Sequence, residues 1–170
     1  KAGYNIHSAI HKARSKDLHC VMHTHEPMSQ TIAALKEKVV PMFQEGCQLY
    51  ERVGYHDFEG IVLDGSEKKR IIKSLGKKNH TVVLRNHGLI TAGPSAIWAF
   101  VRHQLFIRNS EIQLRAMASG AKLNKIPKKV MVHTRQQFEG GDAQAGAEVR
   151  HPEWPAYWRL LDKLDPSWKT

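Results

Sequence analysis

The stretch Leu18-His19-Cys20-Val21-Met22-His23-Thr24-His25 decides how this chain is read. It has the character of a short strand that ends in two histidines one residue apart. Side chains along a strand alternate between faces, so His23 and His25 share one face while Thr24 takes the other. Cys20 falls on the face opposite the histidines and is expected to pack there as a small apolar residue. Two imidazoles on one face at a strand end make half of a metal site, and the other half must come from elsewhere in the chain.

Working outward, the strongest strand signal is Thr81-Val82-Val83-Leu84-Arg85-Asn86, which runs into His87-Gly88. A glycine there lets backbone and metal approach closely. Three imidazoles converging from two strand ends, His23, His25 and His87, would hold a divalent cation and leave a position open for substrate or water. Closed structural zinc sites use four protein ligands, and no thiolate pair is spaced to help here. The expected chemistry is therefore Lewis-acid action on an oxygen-bearing ligand. With eleven histidines in 170 residues, one His-x-His arises easily by chance, and ordinary polar residues at strand ends would give the same pattern. The other histidines, His7, His11, His19, His56, His80, His103, His133 and His151, show no such spacing and read as surface or satisfied core residues.

Helical patterns separate the strands. Asn5 suits a helix N-cap ahead of Ile6, Ile10 and Ala13. Pro27 suits a first helical turn, with Ile32 and Leu35 turned inward. Val39-Val40-Pro41-Met42-Phe43 reads as a short edge strand because of its proline, and Gln44-Glu45-Gly46 as a turn or helix start. A second short strand is expected within Arg52 to Asp57. Asp64-Gly65-Ser66-Glu67 offers a cap for a helix through Leu75 that Gly76 ends. The longest helix is expected over Ser95 to Ser119, with Ile97, Val101, Leu105, Ile112 and Met117 as its buried stripe. Glu139 to Gly146 has the composition of a mobile loop, and Trp154 to Leu164 that of a docking C-terminal helix. Interleaved strands and helices make this an α/β domain.

The length fits one domain with a real core, and 41% hydrophobic with 25% charged residues is ordinary for a globular protein. No apolar run reaches the length of a membrane span. Two cysteines, Cys20 and Cys47, make no disulfide framework, which points to a reducing cytoplasm. The formal charge of +10 admits nucleic acid, acidic membrane or phosphorylated partners, but the basic residues are scattered in short groups such as Lys77-Lys78 and Lys128-Lys129. They read as solvated faces, so no nucleic-acid partner is expected. The chain opens at Lys1-Ala2-Gly3-Tyr4, already close to a core helix, and we expect its N-terminal part to be missing.

Several stretches taken together resemble the class II aldolase/adducin family. They are Ile6-His7-Ser8-Ala9-Ile10-His11-Lys12-Ala13-Arg14 leading into His23-Thr24-His25, Val40-Pro41-Met42-Phe43-Gln44-Glu45, Tyr55-His56-Asp57-Phe58-Glu59-Gly60, Leu84-Arg85-Asn86-His87-Gly88-Leu89 and Ser110-Glu111-Ile112-Gln113. The resemblance covers about residues 3 to 120. It implies a three-layer α/β/α domain around a mixed, mostly antiparallel sheet, occupying residues 1–135, with the loop and docking helix of 136–170 belonging to the same domain. It also implies a zinc site matching His23, His25 and His87, with Fe2+ or Mn2+ as other candidates, and a C4 homotetramer with sites at subunit interfaces.

The same resemblance sets out departures. Sugar-phosphate aldolases of the family carry an acidic residue about a turn before the first helix; here that position falls near Gly3 or Tyr4, and neither can serve. The wording Ile6-His7-Ser8-Ala9-Ile10 resembles the adducin branch and its adducin-like bacterial relatives; adducin head domains work in the membrane skeleton. Two expectations follow. One is a divalent-metal-dependent lyase performing aldol cleavage or decarboxylation of a small hydroxy-carbonyl compound, with Glu45 as the acid/base and Glu26 and Glu59 as alternatives. The other is an adducin-like oligomeric scaffold whose metal site is vestigial.

Overall fold

A computed structural model describes residues 2–60, 66–144 and 153–169. In chain order the elements are α1 (Ala2–Ala13), β1 (Cys20–Thr24), α2 (Pro27–Ala34), a 3-10 turn (Glu45–Leu49), β2 (Val53–His56), α3 (Lys68–Leu75), β3 (Thr81–Leu84), β4 (Gly88–Gly93), α4 (Ala96–Ala118), α5 (Lys128–Gln144), α6 (Trp154–Leu164) and a last 3-10 turn (Pro166–Lys169). The strands form one sheet in the order β1-β4-β3-β2. β1 and β3 both run antiparallel to β4, whereas β2 runs parallel to β3. The sheet is therefore mixed and mostly antiparallel.

Each face of the sheet carries its own core. On one side Ile6 and Ile10 of α1 and Ile71 and Leu75 of α3 pack on Val21, Val82, Leu84, Ile90 and Ala92. On the other, Ile32 and Ala33 of α2 and Phe106 of α4 pack on Val83 and Leu89. The central strands β3 and β4 are buried at every position, as expected of strands covered on both faces. This is the expected three-layer α/β/α arrangement.

Four local expectations are corrected. Val39–Phe43 forms no strand. Pro41 has no N–H to give, and its neighbours are claimed by side chains of α4: Gln113 Oε1 accepts from Val40 N (2.9 Å) and Asn109 Oδ1 from Met42 N (3.0 Å). Their amide nitrogens donate back to the carbonyls of Lys38 and Val40, so two fully buried amides hold a strap rather than a sheet edge. In consequence the buried face of α4 is Trp98, Ala99, His103, Phe106, Asn109, Ser110 and Gln113, and Met117 is exposed. The first helix starts at Ala2, so Asn5 lies inside it. Glu139 to Gln144, read as loop, completes α5, while Ala145 and Gly146 lie outside the described residues. Asp64 and Gly65 of the expected cap also lie outside them; α3 starts at Lys68 with no side-chain cap from Glu67. The terminal helix α6 meets α4 through Phe100, whose ring stands edge-on to Trp154 and Tyr157.

Candidate metal centre

β1 sends alternate side chains to opposite layers. Thr24 faces α4, where its Oγ1 lies 2.8 Å from Nε2 of His103. His23 faces the α1 and α3 layer, beside its cross-strand partner Ile90. The next strand end is delivered by the turn between β3 and β4. Asn86 takes a left-handed conformation (φ 54°), which asparagine tolerates, and its N–H donates to Ala33 O. His87 N donates to Leu84 O, closing the turn. Arg85 fastens the turn from below by donating to the carbonyls of Leu35 and Lys36 at the end of α2, with its guanidinium over the Tyr55 ring.

Gly88 is the residue that permits the close approach of these two pieces. A Cβ there would collide with the carbonyl oxygen of Thr24 and stand 3.0 Å from Cδ2 of His25. Without it, the rings of His23, His25 and His87 come together with centroids 4.8–5.0 Å apart. One ring nitrogen from each lies within 4.8 Å of the others. His23 and His87 are half-buried and His25 is exposed, so the group has one open side.

Hydrogen bonding fixes the chemistry of His23. Its Nδ1 lies 3.0 Å from Leu89 O, and a carbonyl can only accept, so Nδ1 carries the proton and Nε2 keeps its lone pair. That bare Nε2 is 3.1 Å from Nε2 of His25. Electrostatics agree. Burial, then the neighbouring His23, His25 and His56, lowers the pKa of His87 to about 4. Burial also lowers that of His23; the Leu89 carbonyl works against the shift, while His25 and His7 add to it. Neutral imidazole is the form that binds a metal, which the lowered pKa values of His23 and His87 favour, and three converging rings with an open side fit a divalent cation.

The acidic candidates are placed differently. Glu26 caps α2, accepting from Met28 N (3.0 Å) and Ser29 N (2.9 Å), so its carboxylate is spent on the helix. Glu45 opens the 3-10 turn that packs against α4 and α5, in the layer across the sheet from His23. Glu59 pairs with Arg70 and lies 4.0 Å from His56. Among the described residues no acidic side chain joins the three histidines. His56, expected as a surface or satisfied core residue, is buried with its Nε2 2.7 Å from Oε1 of Glu67.

Residues 1–114 match the pattern of the class II aldolase and adducin N-terminal domain. The chain belongs to the class II aldolase/adducin family. It is 35% identical to alpha-adducin of Rattus norvegicus over 172 residues, covering 96% of this chain and 23% of that protein. It is also 35% identical over 141 residues to the decarboxylase NovR of Streptomyces niveus, covering 81% of this chain and 50% of the relative. A crystal structure of an aldolase II superfamily protein from Pseudomonas syringae superposes with a TM-score of 0.77 at 34% identity, covering 95% of this chain and 61% of the other. The chain thus spans less than two thirds of the length of these relatives.

Proposed function

We propose that this chain carries the metal-binding part of a divalent-metal-dependent lyase that acts on a small hydroxy-carbonyl compound by aldol cleavage or decarboxylation. The observation that supports this reading is the convergence of three imidazoles, His23, His25 and His87, whose ring nitrogens lie within 4.8 Å of one another with one side exposed. Membership in a class II aldolase family and 35% identity to a decarboxylase argue for the same reaction class. An all-imidazole donor set favours Zn2+, with Fe2+ and Mn2+ as the other candidates. When bound, such a cation polarises a substrate oxygen and stabilises the negative charge left by C–C cleavage.

The chain's own residues prepare that chemistry. Leu89 O orients the His23 ring and fixes its tautomer. Burial keeps His87 deprotonated at neutral pH. Gly88 leaves the backbone thin enough for both strand ends to reach the pocket. The proton must be handled by another group. Glu45 fills that role where a second copy of the chain brings it to the pocket, because within one chain it lies across the sheet. A homotetramer with its sites at subunit contacts belongs to this reading, as does a cytoplasmic location.

The test is turnover of hydroxy-carbonyl acids and sugar derivatives by zinc-loaded protein, followed as carbonyl product or CO2. Activity lost in His87→Ala, and lowered in Glu45→Gln, is the expected result. Turnover indifferent to His87 would end the lyase reading. A second reading, an adducin-like oligomeric scaffold, draws on the identity to alpha-adducin and on the lack, among the described residues, of an acid joining the three histidines. It predicts a stable oligomer whose assembly is unchanged in His23→Ala and that turns over none of these compounds.

A further inference from the structure

A second group of metal-type ligands lies on the same face of the sheet, outside the three histidines. Alternation along β2 sends Val53 and Tyr55 toward the α4 layer and Gly54 and His56 toward α3. His56 is the last residue of β2, paired in register with Leu84, which in turn pairs with Gly88. It therefore sits at the same end of the sheet as the histidine pocket. The chain then passes Glu59 and returns through Glu67, the residue before α3. Nε2 of His56 lies 2.7 Å from Oε1 of Glu67 and 4.0 Å from Oε1 of Glu59.

Burial makes this group unusual. The side chains of His56 and Glu67 are 6% and 9% exposed. The second oxygen of Glu67, Oε2, is buried and makes no hydrogen bond. A carboxylate out of water with a free oxygen is costly unless something positive meets it. Arg70 donates to both oxygens of Glu59, which supplies one positive charge against two carboxylates. Its planar fork holds Glu59 in place; Oε2 accepts from both Nε and Nη2, while Oε1, the oxygen that faces His56, accepts one bond and keeps a second lone pair. In a chain with a formal charge of +10, two carboxylates converging on one buried imidazole run against the general trend.

We propose that His56, Glu59 and Glu67 form a second divalent-cation site, separate from the three-histidine pocket. One imidazole and two carboxylates make a mixed nitrogen and oxygen donor set that suits Zn2+ or Mn2+. The cation replaces the proton that now lies between His56 Nε2 and Glu67 Oε1. Metal–ligand bonds of about 2.0–2.2 Å set neighbouring donors roughly 3 Å apart, so the pair opens only slightly to admit it. Glu59, after β2, and Glu67, before α3, are thereby clipped together at the end of the sheet that carries the three histidines.

The experiment is Zn2+ and Mn2+ content per chain after loading and exhaustive dialysis, in the wild type and two double variants. Two ions are expected in the wild type, one in His23→Ala/His25→Ala and one in Glu59→Gln/Glu67→Gln. A Glu59→Gln/Glu67→Gln protein that holds as much metal as the wild type overturns the second site. So does a His23→Ala/His25→Ala protein that holds none, and this arm decides the matter even where the glutamine variant fails to fold. A single wild-type ion lost only with the two glutamates would support this site and sink the three-histidine pocket, which keeps the two claims separable.

Discussion

At the end of the sheet where β2 and β3 begin, arginines are tied down; at the end where β1 and β3 finish, histidines face one another with no acid among them in the described residues. Arg14 pairs with Asp17 and donates to the carbonyls of Gly76 and Asn79 ahead of β3. Arg52 pairs with Glu139 of α5, and Arg102 donates to Ala92 O near the end of β4. Arg14 and Arg102 thus cap backbone carbonyls and Arg52 a carboxylate, so the charge there is structural. At the other end the imidazoles offer lone pairs instead, and burial keeps His23 and His87 from taking protons. The difference teaches that basic side chains held in structural contacts give no reason to place a site at their end. The end marked by neutral, convergent nitrogen is the better candidate.

The sharpest way to break this contrast is Gly88→Ala. The new methyl meets backbone at Thr24 as well as the His25 ring, so the β1–β4 pairing must yield. We expect a loss of about 3 kcal/mol in urea denaturation, together with loss of the histidine-bound metal. Arg14→Ala addresses the other end. Removing a largely buried guanidinium strands two carbonyls and Asp17. A loss of about 1–2 kcal/mol is expected, with metal content unchanged. Were metal binding to fall with Arg14→Ala, the two ends would not be independent.

His80, at the arginine end, gives a pH test. Burial, then Arg102, Arg52 and Arg14, hold its pKa well below the ordinary 6.5. The folded chain keeps it neutral while the unfolded chain protonates it below about pH 6.5, so stability falls as pH drops through that value. Urea midpoints between pH 7.5 and pH 5 should therefore decline, and less steeply in His80→Gln. An equal slope in the variant would remove His80 from the account. The smallest effect is expected from Lys78→Ala, within about 0.5 kcal/mol and without consequence for metal.

Much of this was legible in the sequence, for reasons that also explain what was not. Strand alternation alone put His23 and His25 on one face, and the continuous apolar run Thr81–Leu84 placed His87 at a neighbouring strand end. Both signals are local. The strap at 38–42 was misread because its partners, Asn109 and Gln113, lie about 70 positions away in the chain. Those same amides look like solvent-facing residues of α4, which hid its true buried face. His56 and Glu67 are joined across a loop, and no spacing rule links them. Glu45 shows another limit, since the layer in which its turn packs, across the sheet from His23 within one chain, is not set by any local spacing.

The central claim is that His23, His25 and His87 hold a divalent cation, and metal content measures it most directly. Zinc per chain should fall by one equivalent in both His23→Ala and His87→Ala, with far-UV circular dichroism unchanged. Variants that fold like the wild type and retain its full zinc content would contradict the account.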